Sequence, residues 1–169
     1  MSEIRVHFIR HGEANAYAEG GDFNRGLTAN GRLVTRKVTQ LLAQEIRGLD
    51  KIFTSPLVRA VQTTEILANS FDCDDEIEAY PLIASPSSIE DILHLVTSQS
   101  AATDHIAIVG HEPTLSHVVS HLLMASSNPA PWMGFRTSQV VSFRYHQTKH
   151  EWAFAHLIHP QEPKLSQSI

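Results

Sequence analysis

The chain has 169 residues, of which 42% are hydrophobic and 18% charged, the make-up of one soluble domain large enough to hold its core without a disulfide or metal staple. Lys plus Arg number 13 against 18 Asp plus Glu, and a net charge of −5 argues against a nucleic-acid-binding surface, so any anion site must be a local cluster of cations. The single cysteine, Cys73, cannot form an internal disulfide, which fits a reducing cytoplasm; residues 1–14 lack the pattern of a signal peptide or anchor, and no stretch reaches the ~18 apolar residues of a membrane span.

Residues 5–9 (RVHFI) are β-rich and stop at Arg10-His11-Gly12, which predicts a first strand. A polar, glycine-bearing loop follows to about residue 26. Thr28 reads as the N-cap of a helix to about residue 47, with Val34, Val38, Leu41, Leu42 and Ile46 on one face and Gly48 as its stop. Residues 51–54 form a short second strand. Ser55 and Pro56 then open a helix to about residue 69, the serine as cap and the proline at the first helical position.

A third strand is expected at 77–80 and a short helix at 88–96. Residues 106–109 read as a buried fourth strand ending at Gly110. The next helix starts at Pro113 or Thr114 and turns Leu115, Val118, Val119, Leu122 and Leu123 inward. After an irregular loop at 126–133, strands at 140–145 and 151–157 form a hairpin across 147–150. The alternation of strands and helices gives an α/β class with a largely parallel sheet. Residues 1–158 are expected to form the single domain and 159–169 a loose tail.

In open α/β sheets, ligands bind beyond the carboxyl ends of the strands. Three motifs occupy such ends: Arg10-His11-Gly12-Glu13 after strand 1, Ser55-Pro56-Leu57-Val58-Arg59 after strand 2, and Gly110-His111-Glu112-Pro113 after strand 4. If these strands are parallel neighbours, two arginines and two histidines converge on one crevice. Such a set binds phosphate. Arginine offers a planar fork of donors that matches phosphate oxygens, and Arg59 lies in a first helical turn, where free N–H groups also favour an anion. Gly12 lets the backbone come close to the reacting group. A neutral imidazole can attack phosphorus once its other nitrogen is held as a donor, and cationic neighbours help to keep His11 neutral. His111 feels the same repulsion, which a bound phosphate dianion would reverse.

At these residues the sequence resembles the histidine phosphatase superfamily, and within it the small phosphohistidine phosphatases of the SixA type. The resemblance rests on Arg10-His11-Gly12-Glu13-Ala14, on Arg25-Gly26-Leu27-Thr28 with Gly31, on Ser55-Pro56-x-x-Arg59-Ala60-x-Gln62-Thr63, and on Gly110-His111-x-Pro113. It implies a three-layer α/β/α sandwich of the phosphoglycerate mutase-like kind. It implies His11 as phosphorylated nucleophile, with Arg10, Arg59 and His111 as the phosphate pocket, and neither metal nor other cofactor.

This chain departs from the larger relatives in two ways. The segment at 84–104 is short where many of them carry a glutamate proton donor, which leaves Asp22, Glu13 and Glu90 as candidate general acids, with Asp22 and Arg25 also candidates to touch substrate. Position 26 is glycine where relatives often have proline. A short insertion leaves little lid, and an open pocket admits a phosphate carried on a protein. The labile P–N bond of phosphohistidine needs little help from an acid. The expected partner is therefore a phosphorylated histidine phosphotransfer domain or phosphocarrier, with a small phosphomonoester as the alternative.

Other phosphate chemistries fail on the residues. Cys73 is followed six positions on by Ala79 rather than arginine, the 72–76 acidic run lacks the residue an aspartate-dependent phosphatase needs, and there is no P-loop. His117 and His121 stand at i, i+4 without an obvious third metal ligand. A phosphotransfer module would carry its histidine mid-helix rather than after a strand, and a silent phosphate-binding domain should have lost a pocket residue. Trp132, Met133 and Phe135 are either an apolar rim of the site or ordinary packing.

Overall fold

The computed structural model describes residues 3–71, 73, 77–84, 89–100, 102–125, 132, 134–161 and 165–166. In chain order the strands are β1 (Glu3–Arg10), β2 (Lys51–Thr54), β3 (Ile77–Ala79), β4 (His105–Gly110), β5 (Val140–His146), β6 (Glu151–Ile158) and β7 (Leu165–Ser166). The helices are α1 (Ala29–Glu45), α2 (Val58–Asn69), α3 (Ile89–Thr97) and α4 (Thr114–Ala125), with 3-10 turns at Asp22–Asn24 and Pro81–Ala84. The strands form one sheet in the order β3-β2-β4-β1-β5-β6-β7.

β3, β2, β4 and β1 run parallel, and β5 to β7 extend the sheet antiparallel. The neighbour relation that the three motifs require is therefore present: β4 lies between β1 and β2. Arg10 is level with Gly110 and Thr54 with Val109, so all three motifs leave the sheet at one edge.

The strands are central because both faces are apolar. On one face Val6, Phe8, Ile106, Ile108 and Phe143 pack with α3 and α4. On the other, Ile9, Ala107, Val109 and Ile52 pack with Val38 and Leu42 of α1 and Leu67 of α2. Each fully buried side chain of this kind contributes about 1.5–3 kcal/mol relative to exposure. The result is the three-layer α/β/α sandwich. Among the described residues no helix is long and apolar enough to cross a membrane.

Thr28 caps α1 as expected, its hydroxyl accepting from the Gly31 N–H at 2.9 Å. That helix ends at Glu45 because Ile46 turns extended, so Gly48 is not its stop. The expected opening of α2 is corrected. The helix begins at Val58 after an extended Leu57 with no side-chain cap: the Ser55 N–H still serves the sheet edge at Val109 O (3.0 Å), and the Ser55 hydroxyl accepts from the Leu57 N–H (3.3 Å), one residue ahead of the helix. Within 159–169, read from sequence as a loose tail, residues 165–166 pair with β6 and cover its outer edge. Of the 126–133 loop only Trp132 lies among the described residues.

Candidate active site

The end of β1 is held from both sides. The His11 N–H donates to Gly110 O (3.0 Å), and the Arg10 N–H to Gln139 O (3.2 Å). The Ser138 N–H is shared between Arg10 O (3.1 Å) and His11 O (3.2 Å), and Ser138 sits at φ 63° with its hydroxyl 2.9 Å from that of Thr35. A non-glycine residue holds that left-handed conformation only where its surroundings impose it.

The imidazole of His11 is buried, and its Nδ1 lies 2.6 Å from the Gly12 carbonyl. A carbonyl only accepts, so the proton sits on Nδ1 and Nε2 carries the lone pair. Burial pushes the His11 pKa down to about 4; the Arg59, Arg10 and Arg25 cations act in the same direction, against the Gly12 hydrogen bond. His11 is therefore neutral at neutral pH, with a bare ring nitrogen.

His111 faces it, the ring centroids 5.0 Å apart. Its Nε2 lies 2.6 Å from the Ser55 hydroxyl, while Nδ1 is buried with no hydrogen-bond partner. Burial takes its pKa to about 3, with His11, Arg59 and Arg10 adding to the fall and the Asp22 carboxylate opposing it. Arg59 donates from Nη1 to Asp22 O (2.8 Å) and from Nη2 to Asp22 Oδ2 (3.0 Å). Arg10 donates from Nη1 to Phe135 O (2.6 Å). The Nε–H groups of both arginines are buried without partners. An unmade bond at a buried polar group costs about 1–3 kcal/mol, and an anion's oxygens would remove that cost.

The helical motif Arg59-x-x-Gln62-Thr63 also ties down the loop after β1. The Thr63 hydroxyl donates to Arg59 O (2.8 Å) and accepts from the Gly12 N–H (3.0 Å), and Gln62 Oε1 accepts from the Leu27 N–H (2.8 Å). Gly12 is required by contact: a Cβ there would stand 2.5 Å from Thr35 Oγ1 and 3.2 Å from Gly31 O.

Comparison with known proteins accords with this geometry. The family model of the histidine phosphatase superfamily (branch 1) matches residues 6–81. A protein of Picosynechococcus sp. without an assigned function is 37% identical over 116 residues, 66% of this chain and 68% of its own length. The chain belongs to the histidine phosphatase superfamily. The phosphohistidine phosphatase SixA of Escherichia coli is 25% identical over 142 residues, 82% of this chain and 84% of SixA. A structure of the protein histidine phosphatase SixA complexed with tungstate has the same fold: its TM-score is 0.80 at 22% identity, covering 94% of this chain and 98% of that one. The phosphoglycerate mutase of Plasmodium falciparum has a TM-score of 0.66 at 11% identity, covering 91% and 89%.

Within this superfamily fold, the candidate acids divide. Asp22 joins the cluster, bonded to Arg59 and ion-paired with Arg25 Nε at 2.9 Å. The Arg59 hydrogen bond lowers its pKa first, and the charges of Arg59 and Arg25 lower it further, so it is ionised. Glu13 accepts from Thr28 Oγ1 (2.6 Å) and Asn30 Nδ2 (3.0 Å) at the start of α1, which lowers its pKa too. Glu90 is exposed in the first turn of α3. His117 and His121 are exposed on α4, and among the described residues no group of three or more His, Cys, Asp or Glu could hold a metal.

Phe135 packs in the core with Trp132 edge-on at 5.1 Å, and only its carbonyl serves the site; Met133 lies outside the described residues. Ser55, expected as a helix cap, accepts from the Leu57 N–H (3.3 Å) ahead of the helix and meets His111 Nε2 (2.6 Å) with the same hydroxyl. No sequence motif marks Ser138 or the Phe135 carbonyl.

Proposed function

We propose that this chain is a phosphatase that takes the phosphoryl group of a phosphohistidine-bearing protein onto Nε2 of His11 and passes it to water. The bare lone pair on Nε2 of a histidine whose Nδ1–H is committed to Gly12 O carries this reading. In the first step Nε2 attacks phosphorus, the P–N bond to the substrate imidazole breaks, and that imidazole nitrogen takes a proton from solvent. In the second, water attacks the phosphorus on His11 and gives up a proton to solvent, the P–Nε2 bond breaks, and inorganic phosphate leaves with the neutral ring restored.

Arg10, Arg59 and His111 bind the phosphoryl oxygens, and Gly12 allows the close approach. Charge-assisted bonds of this kind contribute about 1.5–3 kcal/mol each. A dianion between His11 and His111 raises the His111 pKa from its low empty-site value, so this ring gains a proton on binding. The two arginines supply the positive charge that a metal supplies elsewhere, and chelators should leave turnover unchanged.

Asp22 and Glu13, both held ionised by donors, are poorly suited to protonate an alkoxide leaving group. This favours the labile P–N bond over a phosphate ester. Turnover of a histidine-phosphorylated phosphotransfer protein, compared with a panel of sugar phosphates, tests the choice. Preference for the phosphoprotein is expected; preference for the sugars would replace it with a small-molecule phosphomonoesterase.

A further inference from the structure

The charges of α1 stand against its dipole. A helix N-terminus favours acidic side chains and its C-terminus basic ones. α1 has no acidic residue in its first turn and no basic residue in its last; Arg32, Arg36 and Lys37 crowd its N-terminal half, and Glu45 ends it. None of these three cations forms an ion pair with a described residue. They therefore do not serve the stability of the helix, in a chain whose net charge is −5.

Their position is informative. Arg32 and Arg36 are four residues apart, as are Leu33 and Lys37, so the four share one outward face. All are exposed, Leu33 to 49%. The helix begins at the site. The Thr28 N–H donates to Glu13 O (2.9 Å), and Gly31 packs so tightly that a Cβ would come 2.1 Å from that oxygen. Glu13 is two residues from His11.

We infer that this face of α1 is the docking surface for the phosphoprotein, and that it fits an acidic surface around the phosphorylated histidine, with Leu33 as the apolar contact between the cations. This rests on the proposed phosphohistidine reading. Complementary charge raises the encounter rate and fixes orientation more than it raises intrinsic affinity, so it acts on kcat/KM.

The test is the triple variant R32E/R36E/K37E, assayed on an acidic, histidine-phosphorylated phosphotransfer domain and on free phosphohistidine, at low and high salt. Wild-type kcat/KM on the protein should fall as salt rises. The variant should lose at least about tenfold on the protein at low salt and lose that salt dependence. It should turn over free phosphohistidine within about twofold of wild type, because no pocket residue changes. Its Tm should stay close to that of wild type, since the three side chains are exposed and no ion pair among the described residues is lost.

A variant that keeps wild-type kcat/KM and salt dependence on the protein overturns the docking face and leaves the phosphatase reading standing. Equal losses on both substrates also overturn it. A wild-type chain inactive on every phosphohistidine substrate, yet active on a phosphate ester, overturns the reading beneath it.

Discussion

The imidazoles of His11 and His111, which follow different strands, stand 5.0 Å apart at an angle of 53°. Both are buried, and both are neutral because burial and the neighbouring arginines disfavour their protons. Their environments match, but their hydrogen bonds differ. His11 spends its one N–H on a carbonyl and keeps a lone pair free, whereas His111 has a hydroxyl at one nitrogen and nothing at the other. The first arrangement suits a nucleophile, the second a ring that can take up a proton when an anion arrives.

Ser55→Ala separates these roles. It removes the hydroxyl 2.6 Å from His111 Nε2 and leaves a buried nitrogen unpaired, which costs about 1–3 kcal/mol. A fall in Tm of a few degrees is expected. Freed to rotate, His111 should hold the phosphoryl group less well, with kcat down about tenfold. Wild-type kcat and Tm would mean that the Ser55 contact is incidental.

Asp22→Asn distinguishes an ion-pair partner from a proton donor. The backbone bond from Arg59 to Asp22 O survives the change. Loss of a general acid lowers kcat by about 10²–10⁴-fold. Because Arg59 and Arg25 hold this carboxylate ionised, the expected drop is less than about tenfold, with tighter inhibition by inorganic phosphate once the like charge is gone. A loss of kcat in the general-acid range would make Asp22 the donor.

Gly12→Ala should destabilise the chain as well as impair it. The new Cβ meets Thr35 Oγ1 at 2.5 Å and the Gly31 carbonyl at 3.2 Å, and overpacking of this kind costs about 1–3 kcal/mol. Adding Thr35→Ala relieves the nearer contact and should restore part of the loss, measured as a double-mutant cycle in urea. Additive effects would show that the two side chains do not compete for space.

Stability should fall in mild acid. The unfolded chain protonates its histidines near 6.5, whereas folded His11 waits until about 4, His111 until about 3, and buried His7 is held well below 6.5 by burial and then by His105 and His156. Between pH 6.5 and about 4 the unfolded state therefore binds more protons. Stability is complete above 6.5 and declines as pH falls, by about 1.4 kcal/mol per pH unit for each fully engaged group. Urea unfolding at pH 7, 6 and 5 should show falling midpoints. Equal midpoints at pH 7 and 5 would contradict the buried, neutral state of these rings.

Much of the site was legible in the sequence because each motif couples a strand end to a residue type with one chemical use. The β1, β2 and β4 motifs meet as expected once those strands lie side by side. What escaped reading depends on the backbone. The Phe135 carbonyl that accepts from Arg10, and the Ser138 N–H that bridges Arg10 and His11, belong to groups every residue possesses. The pairing of Asp22 with Arg59 needs a turn entered through Gly20 and Gly21, at φ 87° and 92°. A Ser-Pro pair before a helix has a common local use as a cap, and only the fold brings His111 within reach of the Ser55 hydroxyl.

The central claim is a covalent bond between phosphorus and one ring nitrogen. Enzyme mixed with labelled phosphohistidine protein, quenched rapidly without acid and mapped by peptide, should carry alkali-stable, acid-labile label on His11 and none on His111. His11→Asn should abolish both label and turnover. Full turnover in His11→Asn, or turnover with no label at any time point, would contradict it.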